Sequence, residues 1–335
     1  MASTPGGIPG PGRGSASTRR DSVRSLKRSL EAGVRSAATE RLTRAEERRL
    51  LAAARAGDDR ALNRLLTLVS GAVYRFGRGF CGDPHDAEDV AQVTLAALAR
   101  SLRDFRGDAS LTTWAYTVAR NACTRQRRRP AHAPARLESL DAAAPGGSPA
   151  LQVADPGEDP QRALERRELR DALQRSIHAL PPSQREVLVL RDVEGLPASE
   201  VGRILHLSER AVKSRLHRAR VSLREMLAPH VVSRGAAPAR VAGIRAQGTR
   251  AAGAGRCPDT ARLVSRFLEG ELDAEACARL EAHVSSCPDC GAACETLRTA
   301  ITSCRAWRGE KVPDEVRASL RSAIRQLVAE ARAQD

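Results

Sequence analysis

Four residues near the C-terminus carry the side chains best suited to chemistry. Cys257, His283, Cys287 and Cys290 stand in the order C-x25-H-x3-C-x2-C, three thiols and one imidazole. Such a set fills the four positions of tetrahedral Zn2+ and leaves none for water or substrate, so the expected role of the metal is structural. A lone C-x2-C is a weak signal; the upstream cysteine and the histidine make this one strong. For the four to meet, the chain between them must fold back. Leu272, Ala276 and Leu280 place a helix ahead of His283, and Pro288-Asp289 opens another that begins near Cys290. Cys277 is expected as a small buried apolar residue, and Cys294 and Cys304 as spare thiols. Structural zinc contributes on the order of 10–16 kcal/mol to a small fold, so metal loss, or oxidation to a disulfide such as Cys257–Cys290, would unfold the module.

Two further clusters suit nucleic acid. A short helix from about Ala198 to Leu205, a turn at His206-Leu207 and an N-cap at Ser208 predict a helix-turn-helix, with Gly202 at the crossing. Its second helix carries Arg210, Lys213, Arg215, Arg218, Arg220 and Arg224, with Ala211, Val212, Leu216, Ala219 and Leu223 as the buried side. Cations at the start of such a helix read base edges and later ones meet phosphates. A solvated basic face on an ordinary helical hairpin is the plainer alternative, but turn, cap and charge coincide here. His206 and His217 are read as structural or phosphate-facing.

The other cluster is aromatic and basic. The chain has eight aromatic residues, and six lie between Tyr74 and Tyr116. Tyr74, Phe76 and Phe80 are expected in a core. Phe105, Trp114 and Tyr116 stand just before Arg120, Asn121 and Arg125 and the arginines at 127–129. Aromatic stacking is worth about 1–3 kcal/mol per base and cations hold the backbone, which is what binding single-stranded DNA requires. Trp114 is expected both to pack inward and to border the groove.

The chain of 335 residues has a formal net charge of +15, which points to an anionic partner. No apolar run approaches the roughly 18 residues of a membrane span, and the N-terminus lacks a signal-peptide core, so no membrane partner and a cytoplasmic location are expected. Eight cysteines in a reducing compartment predict metal ligands or redox thiols rather than a disulfide framework. The fold class expected is all-α. A disordered basic tail covers residues 1–42; Thr43 and Glu46 then form a capping box. A helical unit spans 43–129, a linker with six prolines 130–160, and the helix-turn-helix unit 161–230, where Ser183 and Glu186 suggest a second capping box. A linker without acidic residues covers 231–256, the zinc module 257–308, and a C-terminal helix 309–335.

The segment LPPSQREVLVLRDVEGLPASEVGRILHLSERAVKSRLHRAR resembles the fourth region of bacterial sigma factors of the extracytoplasmic-function type. That resemblance implies contacts of Arg210, Lys213, Arg215 and Arg218 with the minus-thirty-five promoter element. His206 departs from the glycine usual in the turn. FRGDASLTTWAYTVARNACTRQRRR is similar to sigma region two, which implies that the loop around Phe105 holds a flipped minus-ten base and that Arg120, Asn121 and Arg125 line the DNA path. DAEDVAQVTLAALARSL resembles the helix that docks on core RNA polymerase, with Asp86, Glu88, Asp89 and Gln92 as contacts; Val93 stands where glutamate is common. The tail resembles a zinc-binding anti-sigma domain.

Charge speaks to the role of that tail. From Cys257 to Glu295 eight acids face three arginines, net −5. DNA repels such a module and the basic helical units attract it, so intramolecular docking on the sigma domains is expected, alongside the plainer reading of a tail that binds another protein. Across a tether of about 25 residues, with an r.m.s. span of roughly 25–30 Å, the local concentration is near the mM range. A stand-alone helix-turn-helix regulator would need no aromatic strand-opening domain, and a zinc enzyme would need an open coordination position. A non-enzymatic transcription initiation factor is the reading the residues favour.

Overall fold

The computed structural model describes residues 43–102, 105, 107, 109–127, 160–232, 257–309 and 312–333. The tail expected at 1–42 and the linkers expected at 130–160 and 231–256 lie outside them, save that Pro160 begins a helix and Val231 and Val232 extend one. Among the described residues there are twelve α-helices, one π-helical turn and no strand. The first unit comprises α1 (Arg44–Arg55), α2 (Asp59–Phe80), α3 (Pro84–Ser101) and α4 (Leu111–Arg127). The second comprises α5 (Pro160–Ala179), α6 (Pro182–Leu188), the π-helical turn Val189–Val193, α7 (Ala198–Leu205) and α8 (Glu209–Val232). The tail forms α9 (Thr260–Leu268), α10 (Ala274–Ser286), α11 (Pro288–Arg308) and α12 (Asp314–Ala333).

Local chemistry sets most of the helix starts. Thr43 and Glu46 form a complete capping box at α1. Asp58 accepts from the Arg60 and Ala61 amides at α2, and Asp83 does the same for α3, with Pro84 at the first position. The capping box expected of Ser183 and Glu186 does not form. Pro181 is the N-cap of α6, without a side-chain hydrogen bond, so Ser183 already lies inside the helix and Glu186 is free to bond elsewhere.

The helix-turn-helix forms as expected. His206 adopts the left-handed conformation (φ 55°, ψ 48°) that ends α7. A Cβ on Gly202 would lie 2.6 Å from the Leu207 carbonyl oxygen, so only glycine lets the turn fold this tightly onto α7.

One core runs through all three units. It joins Leu65, Phe76 and Tyr116 of the first unit to Val189, Ile204 and Leu216 of the second, and to Cys304, Trp307, Leu320 and Ile324 of the tail. At Gly79 of α2 a Cβ would come within 3.0 Å of Val189 and 3.7 Å of Trp307, so the three units meet at a side chain that is absent. The zinc module keeps a small core of its own, built from Val264, Leu280, Val284, Cys294, Leu297 and Ile301. Helix α12 packs on α2 and α3.

The cysteines depart from expectation at two places. Cys81, at the end of α2, and Cys123, on α4, form a disulfide with a Cα–Cα distance of 5.7 Å. Cys277 is half-buried rather than buried, while Cys294 and Cys304 are buried free thiols.

Candidate functional site

The zinc-ligand candidates converge. The ligand atoms of Cys257, His283, Cys287 and Cys290 all lie within 4.8 Å of one another. Asp259 caps α9 by accepting from the Arg262 amide, which holds Cys257 just ahead of that helix. Cys287 ends α10, its amide donating to the His283 carbonyl at 2.8 Å, and also caps α11, so Cys290 falls in the first turn. The three cysteines are buried, and His283 Nε2 is buried without a hydrogen-bond partner. Burial, with the Cys287 and Cys257 thiols alongside, pushes the Cys290 thiol up to about 12. An orphaned imidazole nitrogen among three buried cysteine sulfurs is a donor set that fits a thiophilic cation.

On α8 the cations divide. Ser208 accepts from the Ala211 amide at 3.2 Å, and Ser208, Arg210 and Arg218 are exposed. Lys213 instead pairs with Glu271 of the zinc module, which raises its pKa through that hydrogen bond. Arg215 lies 3.8 Å from Glu186. Arg220 and Arg224 do not face phosphates as the sequence pattern implied; both are buried. Arg220, 2 % exposed, holds Asp192 through bonds of 2.8 and 2.6 Å and reaches Ser265 (3.0 Å) and Glu269 (3.4 Å) of α9 and its C-terminal end. Burial works against the Asp192 carboxylate, yet the Arg220 guanidinium outweighs it and holds the carboxyl below its usual range. Arg191 also pairs with Glu269. His217 is half-buried, and burial holds its imidazole below the usual value.

In the first unit Phe105 and Trp114 stack edge to face at 6.3 Å, half-buried against the core, with Asn121 and Arg125 exposed on α4. Arg120 donates to Glu186 of α6 at 2.9 Å. Asp86, Glu88, Asp89 and Gln92 lie along α3; Asp89 is exposed and the other three are half-buried. Burial, then the carboxylates of Asp83 and Asp89, raise the pKa of Asp86. Gln92 Nε2 donates to Glu88 at 3.4 Å and to the Ser319 hydroxyl of α12 at 3.3 Å. The expected DNA and polymerase residues lie on α3, on α4 with the segment before it, and at the start of α8; several already have protein partners, and Arg120 of α4 and Arg215 of α8 share Glu186. Reading the sequence missed those partners: Glu186, Glu269, Glu271 and Ser319. The acidic balance of residues 257–295 hinted at Glu269 and Glu271 alone.

Comparison with known proteins agrees with this geometry. The Sigma-70 region 2 family matches residues 65–132, Sigma-70 region 4 matches 170–223, and a zinc-finger family matches 257–291. The class is thus that of sigma-70 proteins, carrying an anti-sigma-like zinc finger. The RNA polymerase sigma-H factor of Pseudomonas aeruginosa is 31% identical over 192 residues, 56% of this chain and 97% of that protein. The ECF RNA polymerase sigma factor SigW of Bacillus subtilis is 30% identical over 171 residues, 51% of this chain and 91% of its own. The sigma factor RpoE of Bartonella quintana, solved in complex with the anti-sigma factor NepR, aligns over 48% of this chain and 93% of its own at 25% identity, with a TM-score of 0.37. The chain belongs to the ECF family of RNA polymerase sigma factors. No helix among the described residues is long and apolar enough to cross a membrane.

Proposed function

We propose that the chain carries core RNA polymerase to promoters and starts transcription there, and that its zinc module holds it closed until the module is released. In this reading residues 43–129 bind core polymerase through Asp86, Glu88, Asp89 and Gln92, and open the minus-ten element with Phe105, Trp114, Arg120, Asn121 and Arg125. Residues 161–230 read the minus-thirty-five element through Ser208, Arg210, Lys213, Arg215 and Arg218. Cys257, His283, Cys287 and Cys290 hold Zn2+, which would tie the start of α9 to the α10–α11 junction. The protein acts in the cytoplasm and makes no covalent chemistry of its own.

The observation that carries closure is the pairing of Glu269 and Glu271 with the promoter-reading unit: Glu269 with Arg191 and Arg220, Glu271 with Lys213. Helix α12 supports it from the other side, because the Gln92–Ser319 bond occupies part of the proposed polymerase face. The test is binding of purified core polymerase to the full chain, zinc-loaded and after chelation. Tight binding only after chelation supports closure. Equal binding removes closure and keeps the sigma role; absence of binding in both states removes the polymerase partner.

A further inference from the structure

Region four presses three carboxylates of its own onto helix α4, in a cluster that Arg308 at the end of α11 borders. Glu186 of α6 accepts from Arg120 Nε at 2.9 Å. Glu194, after the π-helical turn, accepts from the Tyr116 hydroxyl at 2.7 Å and lies 3.6 Å from Arg75 of α2. Glu200 of α7 accepts from the Thr113 hydroxyl at 3.2 Å. The three donors on α4, at positions 113, 116 and 120, repeat at three and four residues, so they form one row about 10 Å long on a single helix face. The carboxylates come from three different segments that converge on that row. Glu186 and Glu194 are 6 % and 1 % exposed, so these are desolvated contacts rather than loose surface pairs. Alongside them Arg185 donates to the Phe80 carbonyl at 3.2 Å and seats α6 on the end of α2.

The guanidinium, the phenol and the hydroxyl in this row each turn a donor toward a carboxylate, and a second guanidinium lies beside them. That is the pattern a polyanionic backbone recognises, and here it is filled by carboxylates. We infer that Glu186, Glu194 and Glu200 form an acidic seat that takes the place of single-stranded DNA phosphates on α4, so that region four and DNA compete for Arg120, Thr113, Tyr116 and Arg75. The seat is a second lock, set within the sigma domains themselves. Release of the zinc module opens the recognition helix, whereas this lock yields when DNA displaces region four from α4. The inference rests on the proposed DNA role of α4.

The test uses the zinc-loaded full chain with Glu186→Gln, Glu194→Gln and Glu200→Gln combined, which preserves side-chain shape and removes three charges. Two readouts are taken: anisotropy of a labelled mixed-sequence single-stranded oligonucleotide across a salt series, and amide hydrogen exchange in α4. Competition predicts an affinity gain of roughly tenfold. The slope of log affinity against log salt steepens by about 1.4, since two freed guanidiniums each count about 0.7 on a single strand. Exchange in residues 111–127 rises as well. Unchanged affinity overturns the inference. So does a gain with α4 still protected, which reflects the raised net positive charge alone, and so does loss of protection without a gain. Should the triple variant not fold, Arg120→Ala serves, because one donor shared by two acceptors must fail both. It is expected to lower oligonucleotide affinity and to raise exchange in α6; loss of the first without the second overturns the inference. Holoenzyme formation with core polymerase is measured alongside: if wild type does not form it, the sigma reading itself has failed.

Discussion

Substituting Glu269 by Gln tests closure most directly. Glu269 sits at the C-terminal end of α9, its side chain 6% exposed, facing both Arg191 and Arg220. Removing one partner of a buried pair costs about 3–5 kcal/mol when the other charge is stranded. Neither arginine is stranded here: Arg220 keeps its two bonds to Asp192, and Arg191 keeps the Leu196 carbonyl. Gln also retains an acceptor. The expected loss of docking energy is therefore smaller, about 2 kcal/mol, or roughly a 30-fold shift toward the open form. Apparent affinity scales with the fraction of open molecules, so the Kd of the zinc-loaded variant for core polymerase should fall by about 30-fold, saturating once the open form predominates. The assay is titration of labelled full-length chain with core polymerase, with zinc content measured in parallel. An unchanged Kd in a variant that retains its zinc would refute the docking role of Glu269.

Other perturbations separate the parts. Cys287→Ser should abolish zinc retention and the helical circular dichroism of the tail, and bring core binding to the level of the chelated chain. His206→Gly should stabilise the protein by about 1 kcal/mol in denaturant melts by relieving a left-handed residue, whereas Gly202→Ala should destabilise it because of the 2.6 Å approach to Leu207. Reducing Cys81–Cys123, or replacing both by Ser, frees a loop with a sequence separation of 42 and should cost about 4 kcal/mol by chain entropy, read as a drop in the denaturant midpoint. The Asp192 carboxyl is held below its usual range when folded, so its contribution is fully present above the unfolded pKa of about 3.9 and is lost as pH falls through the lower folded value. Melting between about pH 6 and pH 3 should show that loss, and Asp192→Asn should reduce it.

Local signals were legible in the sequence and long-range pairings were not. Thr43 with Glu46 formed the expected box because both partners lie within one turn. Ser183 with Glu186 has the same spacing, yet a proline at the first helical position moves the cap to Pro181, and Glu186 bonds instead to Arg120, 66 residues away. Arg220 belongs by type to the basic set of α8, but it lies beside Leu216, Ala219 and Leu223 on the inner side. Asp192 on the π-helical turn, with Ser265 and Glu269 of the zinc module, makes its burial tolerable. The convergence of Cys257, His283, Cys287 and Cys290 could be anticipated because metal chemistry favours a small range of ligand types and spacings. The Cys81–Cys123 pair carried no such rule, and neither did the seat of Glu194 on Tyr116.

On the proposed reading, the metal decides the state of the chain because of where α9 is anchored. Glu269 and Glu271 stand at the far end of that helix from Cys257, and the six-residue core of the module is too small to hold α9, α10 and α11 together unaided. Tethering at near mM concentration lets even mM affinity hold the module on about half of the chains, and each further 1.4 kcal/mol closes it about tenfold. The buried Arg191–Glu269 and Arg220–Glu269 pairs, with Trp307 packed at Gly79, supply that margin only while Zn2+ fixes α9. Removing the metal leaves the acids on the same chain at the same local concentration, but on a helix with no defined position. Docking therefore weakens along the whole of α9 and not at the metal alone, and a small covalent change at four residues reaches the promoter-reading helix.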